Sequence, residues 1–136
     1  MISTNRPARI LLIEDSEMDR VIFNLMIKKM LDNPVIETCN NGITAISRLM
    51  ELNSLGNDLL PDYIFLDLAM PLMDGWQFME EYDRLDIDPT HKSKIYVLSS
   101  SVFKKDIVKS HLNPRIENFL SKPIDFGTIK NVFFSN

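Results

Sequence analysis

Glu14-Asp15, Asp67 and Ser121-Lys122-Pro123 each close an apolar run, namely Ile10 to Ile13, Tyr63 to Leu66 and Ile116 to Leu120. Carboxylates bind hard cations through oxygen, and a carboxylate can itself attack an electrophilic phosphorus. An ammonium beside them can pair with a carboxylate at rest and with a phosphoryl oxygen once one arrives. If the runs are parallel strands, these groups converge at the carboxyl edge of one sheet, where open α/β sheets bind ligands.

Each group alone has a plainer reading. An acidic pair after a strand also caps the next helix, and so does a serine such as Ser99, which opens Ser99-Ser100-Ser101 after the run Ile95 to Leu98. Together they are more specific. Glu14, Asp15 and Asp67 brought within a few ångströms need a proton or cation to neutralise them. Oxygen-only donors suit Mg²⁺, and no His or Cys falls at the same edge to favour zinc. The Ser99 hydroxyl and its neighbouring N–H can donate to a phosphate. Pro123 sets a defined turn for Lys122 and admits a cis bond there. The combination describes nucleophilic phosphoryl transfer to Asp67, giving an acyl phosphate whose charge Mg²⁺ and Lys122 offset.

The elements that must position these groups are readable from periodicity and punctuation. Ser16 caps a helix ending near Leu31, with Met18, Val21, Ile22, Leu25, Met26 and Met30 as its expected buried face. Val35 to Cys39 is a short strand. Asn40-Asn41-Gly42 turns into a helix with Ile43, Ile46, Leu49 and Met50 inward. Leu52 to Pro61 reads as a helix extension followed by a surface loop. Asp62 to Asp67 is a strand buried on both faces, and Pro71 with Asp74-Gly75 marks the loop into a helix facing inward through Trp76, Met79, Tyr82 and Leu85. Phe103, Ile107, Val108 and Leu112 form a fourth helical face, stopped by Asn113-Pro114. A terminal helix capped by Asp125 carries Phe126, Ile129, Lys130 and Phe133. Five strands alternating with five helices predict an α/β fold, a doubly wound parallel sheet.

Bulk properties narrow the function. A chain of 136 residues, 45% hydrophobic and 25% charged, is the size of one domain. We expect a single domain over 1–136, with its core at about 8–134 and no output module. The net charge of -4 disfavours direct binding to nucleic acid or anionic membrane. No run approaches the roughly 18 to 20 apolar residues that span a bilayer, and the start lacks a signal-peptide stretch, so a cytoplasmic protein is expected. The single cysteine, Cys39, excludes an internal disulfide and, within the short apolar segment Val35 to Cys39, reads as a buried rather than a reactive residue.

The segments LLIEDSEMDR at 11–20, IFLDLAMPLMDGWQF at 64–78, VLSSS at 97–101 and FLSKP at 119–123 make the chain resemble a receiver domain of the two-component response regulators, CheY-like in fold. The resemblance covers nearly the whole chain and implies five parallel strands in order 2-1-3-4-5. It implies that Asp67 accepts a phosphoryl group from a sensor histidine kinase or histidine phosphotransfer protein. By the same resemblance Asp15, Asp67 and the Ala69 backbone carbonyl would hold Mg²⁺ or another divalent cation such as Mn²⁺, with Glu14 acting through water. Lys122 falls on the family's lysine and Ser99 on its switch hydroxyl. Phe119 falls on its switch aromatic, with a plain core strand residue as the alternative reading. Ala69 and Ser101 would tune water access to the site.

Three departures stand out. Glu14 replaces the commoner Asp, Leu52 to Pro61 is long, and Asn113 to Asn118 lacks a glycine turn. The expected output is altered binding of a protein target through the fourth helix, fifth strand and fifth helix, with Phe103, Phe119, Ile129 and Phe134 as contributors. A monomer or weak homodimer is expected. The competing classes are weaker. A haloacid dehalogenase-like phosphatase needs a second acid where Ala69 stands, and neither a GxGxxG nor a Walker loop is present. A phosphorylation-independent adaptor on the same fold remains the alternative.

Overall fold

β1 (Arg9–Ile13), β2 (Val35–Cys39), β3 (Tyr63–Asp67), β4 (Lys94–Ser99) and β5 (Ile116–Ser121) alternate with α1 (Glu17–Met30), α2 (Gly42–Leu55), α3 (Gly75–Arg84), α4 (Lys104–Leu112) and α5 (Phe126–Phe134). The computed structural model describes residues 6–100 and 103–134; Ser101 lies outside them. The strands form one parallel sheet in order β2-β1-β3-β4-β5. Both expectations, the doubly wound architecture and its CheY-like strand order, hold.

Alternation along the strands splits the core into two layers. Leu11, Ile13, Ile64, Leu66, Ile95 and Val97 pack on one face against Ala45 and Leu49 of α2 and Phe78 and Tyr82 of α3. Ile10, Leu12, Phe65, Leu98 and Leu120 pack on the other against Phe23 and Ile27 of α1 and Ile129 of α5. The central strands are buried on both faces, as parallel strands between helices must be. Among the described residues no helix is long and apolar enough to cross a membrane.

Caps fall where the sequence places them. The side chains of Ser16, Asn41, Asp74 and Asp125 accept the N–H groups of Asp19, Thr44, Gln77 and Thr128. Gln77 also returns a side-chain bond to the Asp74 N–H, completing a capping box.

Several expected helix faces differ from the observed ones. On α1, Met18, Val21, Ile22 and Leu25 are exposed, and the buried residues are Phe23 and Ile27, with Met26 and Met30 half-buried. Two apolar stripes run side by side on this helix. Periodicity does not choose between them; Phe23 does, by packing edge-on to Phe65 at 4.8 Å. On α2, Ile43 and Met50 face solvent while Ala45 and Leu52 join Ile46 and Leu49 inside. Val108 and Leu112 of α4 and Phe103 just before it are exposed, and only Ser110 of the helix is buried, because this helix packs against the edge strand rather than the sheet centre. Ile129 is fully buried, so it belongs to the core and not to an outward binding face.

The long Leu52 to Pro61 segment does extend α2 to Leu55, but it then forms a 3-10 turn and buries Leu60 completely, so its end is core rather than surface loop. The connection into β5 manages without glycine. The Asn113 side chain accepts the Arg115 N–H at 2.9 Å and its carbonyl accepts the Ile116 N–H at 3.1 Å.

Gly75, at the start of α3, sits hard against the end of β3. An added Cβ would lie 2.8 Å from Leu68 Cα and 3.0 Å from the Asp67 carbonyl oxygen. Gly75→Ala is therefore expected to lower stability by on the order of 1 kcal/mol net, overcrowding outweighing the gain in helix propensity. The urea midpoint checks it; an unchanged or higher midpoint would contradict this close approach.

Candidate functional site

β1, β3, β4 and β5 all end at the same edge, which fixes where their last side chains sit. Glu14 and Asp15 follow β1, Asp67 ends β3, Ser99 ends β4, and Lys122 follows β5. Backbone bonds tie the ends together: Leu68 N–H donates to the Leu98 carbonyl at 3.0 Å and Lys122 N–H to the Ser99 carbonyl at 2.8 Å. The Lys122-Pro123 bond is cis, as the sequence admits. Glu14, Asp15 and Asp67 each offer a carboxylate oxygen, and these lie within 4.8 Å of one another. The expected constellation is therefore assembled.

The Lys122 ammonium is its centre. It lies 2.6 Å from Glu14 Oε1, 3.2 Å from Asp67 Oδ2 and 3.3 Å from Asp19 Oδ2. The pairing with Asp67 was expected. The closer pairing with Glu14 follows from the length of Glu, whose carboxylate reaches the ammonium while its other oxygen accepts the Ser16 N–H at 3.2 Å. Asp19 was not anticipated. Its signal was present, since it stands four residues after Asp15 and helix side chains lean toward the N-terminus. Arg20 is a second unforeseen participant, donating to the Glu14 carbonyl at 2.8 Å.

Burial sharpens the electrostatics. Glu14, Asp67 and Ser99 are buried, whereas Asp15 and Asp19 are open to solvent. Glu14 and Asp67 thus share one ammonium in a poorly hydrated setting, with two further carboxylates at the rim. Burial, opposed by the Lys122 bond and reinforced by Asp67, pushes the Glu14 carboxyl from 4.5 up to about 7. Burial works against the Lys122 charge, but Glu14 and Asp67 outweigh it and hold its pKa above the ordinary lysine value. This excess of carboxylate over ammonium is the donor chemistry a hard divalent cation fits, and all the clustered ligand atoms are oxygen.

The loop after β3 is shaped for the site. Ala69 N–H donates to Asp67 Oδ1 at 3.1 Å, fixing the carboxylate's orientation. Leu72 adopts φ 69°, and Met73 N–H reaches the Pro71 carbonyl at 2.7 Å, a γ-turn of the strained hand. On the neighbouring strands Val97 is paired with Phe119 and Ser99 with Ser121, so Ser99 and half-buried Phe119 share one face of the sheet.

The profile of the response regulator receiver domain matches residues 10–133. The chain belongs to that family. A receiver domain works in general with a histidine kinase and is usually a signalling switch rather than an enzyme. A two-component response regulator from Cytophaga hutchinsonii superposes with a TM-score of 0.85 at 25% identity, covering 95% of this chain and 96% of that one. The Mn²⁺-bound response regulator Rcp1 superposes at 0.74 and 21% identity, covering 96% of each chain. A protein-glutamate methylesterase/protein-glutamine glutaminase of Methanospirillum hungatei is 27% identical over 125 residues, 91% of this receiver. The receiver spans only 33% of that relative's length.

The raised Glu14 pKa gives a pH signature with a definite sign. Its native value, about 7, lies above the unfolded 4.5, so the native state binds this proton more tightly. The stability it contributes is present below the lower value and lost as pH rises through the higher one. Without divalent cation, the urea midpoint should fall from about pH 5 to about pH 8, and Glu14→Gln should flatten that slope. A Glu14→Gln variant that keeps the full slope would assign the effect elsewhere.

Proposed function

We propose that this receiver accepts a phosphoryl group on Asp67 from a phosphohistidine donor, a sensor histidine kinase or histidine phosphotransfer protein, and signals by changed protein binding. The observation that carries this reading is the buried Asp67 carboxylate, oriented by Ala69 N–H and 3.2 Å from the Lys122 ammonium at the open edge of the sheet. An Asp67 oxygen attacks phosphorus as the donor's P–N bond breaks; the imidazole, protonated on its other nitrogen, leaves with the electron pair. Lys122 then holds a phosphoryl oxygen as a compact point charge.

Asp15, Asp67 and the Ala69 carbonyl would hold a divalent cation, Mg²⁺ or Mn²⁺, with Glu14 acting through water. Bound there, the cation would offset the charge of the phosphoryl oxygens. The excess of carboxylates supports this assignment, as does the manganese in the Rcp1 structure.

The product adds roughly -1.5 to -2 charges at Asp67, enough to bias a two-state element by a few kcal/mol. The Ser99 hydroxyl moves toward the phosphoryl oxygens and Phe119 turns inward behind it, a coupling supported by their shared sheet face. Phe103, just before α4, and Phe134, at the end of α5, are exposed and are the remaining contributors to the responding surface. The domain's own hydrolysis of the acyl phosphate ends the signal; Ala69, exposed beside Asp67, leaves water access. The family's usual cytoplasmic setting supports the same location here.

Intact mass after incubation with acetyl phosphate and Mg²⁺ tests the chemistry. A phosphoryl adduct is expected in wild type, absent in Asp67→Asn and lost on chelating the cation. No wild-type adduct would favour a phosphorylation-independent adaptor, and an adduct on Asp67→Asn would refute the acceptor assignment. Lys122→Ala should separate chemistry from response: any residual adduct should fail to alter the binding or the near-UV spectrum that wild type alters. An unchanged response in that variant would remove Lys122 from the switch.

A further inference from the structure

The Lys122 ammonium is shared by three carboxylates, donating to Asp67 and Asp19 and pairing with Glu14 at 2.6 Å. An incoming phosphoryl oxygen must compete with these carboxylates for the ammonium. Glu14 is buried and closest, at 2.6 Å, so losing the ammonium would strand a charge out of water. Asp67 is the proposed acceptor and stays at the site after reaction. Asp19 is different: its side chain is 47% exposed and its contact is the longest, at 3.3 Å. It can rehydrate at little loss.

Asp19 does not need Lys122 to stay in place. It sits in the first turn of α1, its own N–H donating to Ser16 Oγ at 3.2 Å, where the helix end favours a carboxylate. A cavity of about 280 Å³, lined by Leu12, Ile22, Phe23, Asp19 and Lys122, adjoins the contact and leaves room for either side chain to swing.

We propose that Asp19 is a positioning residue for phosphoryl transfer, which holds the resting Lys122 on α1, competes with the phosphoryl oxygen for it, and so slows reaction with small anionic phosphodonors. The inference rests on Asp67 being the acceptor. In the step itself, an Asp67 oxygen bonds to phosphorus, the bridging P–O bond of acetyl phosphate breaks and acetate leaves with the electron pair. The N–H that Asp19 gives up then serves a phosphoryl oxygen. Asp19 retards this twice, by occupying that N–H and by placing a negative charge near an incoming anion.

The test compares wild type, Asp19→Asn and Asp19→Glu for the initial rate of adduct formation from acetyl phosphate with Mg²⁺, at low and high ionic strength, with thermal midpoints as the folding control. Asp19→Asn should react about threefold to tenfold faster at low salt, the gain shrinking as salt screens the charge. Asp19→Glu, which restores the carboxylate, should fall back toward wild type. A structural role alone would show neither the salt dependence nor the rescue. Equal or slower reaction of Asp19→Asn at every salt, beside a wild type that does form the adduct, would overturn the inference. A wild type that forms no adduct would overturn the acceptor reading and this inference with it, and the wild-type trace alone distinguishes the two failures.

Discussion

One ammonium compensates three carboxylates at the edge of this sheet, and the local structure is organised around that shortage of positive charge. Lys122 reaches Glu14 at 2.6 Å, Asp67 at 3.2 Å and Asp19 at 3.3 Å, joining the ends of β1 and β3 and the first turn of α1 to the segment after β5. Two of its partners are buried, where an unpaired charge is expensive. Burial first, and the neighbouring Asp67 after it, raise the Glu14 pKa against the pull of Lys122. A site held this way is stable enough to fold and still short of cation, a state suited to receiving a metal ion or the lysine's next partner.

The sheet makes this concentration of charge possible. Parallel strands buried on both faces give a rigid platform, and every strand's last residue points its successor toward the same edge. The apolar interior below the edge withholds water from Glu14 and Asp67 while leaving Asp15 and Asp19 wet. Gly75 lets α3 begin directly against β3, which keeps the Asp67 loop short, and the strained turn at Leu72 lies in the same loop. Local strain is tolerated where the surrounding packing over-determines the backbone.

The two sides of the molecule are unequally packed. Around β3 aromatic rings pack on one another, Phe23 edge-on to Phe65 and Phe65 stacked on Tyr96. At the β5 edge α4 buries only Ser110 and is tied to α3 by the Trp76 indole, which donates to Asp106 at 3.1 Å, and by Lys109 over the same ring. An element held by a few polar and edge contacts repositions more readily than one set in a filled core. Ser99 and Phe119 lie between that element and the charged edge, on one face of neighbouring strands.

Strand and helix limits and the residues at the sheet edge were legible in the sequence because they depend on local signals, hydrophobic runs and caps at Ser16, Asn41, Asp74 and Asp125, whereas the strand order was implied only by the family resemblance. The convergence of Glu14, Asp15, Asp67 and Lys122 was legible for the same reason, since each ends or follows an apolar strand. Which stripe of α1 turned inward was not, because Met18-Val21-Ile22-Leu25 and Phe23-Met26-Ile27-Met30 satisfy the same periodicity and only Phe65 across the interface selects between them. Nor were the exposure of the α4 residues and the burial of Leu60, which depend on how far each element overlaps the sheet. The sequence by itself determined which charged groups reach the edge. Only the tertiary structure decided how they share one ammonium and brought in Asp19, because the lengths of side chains and the approach of α1 to the β5 end are set by packing between elements distant in the chain.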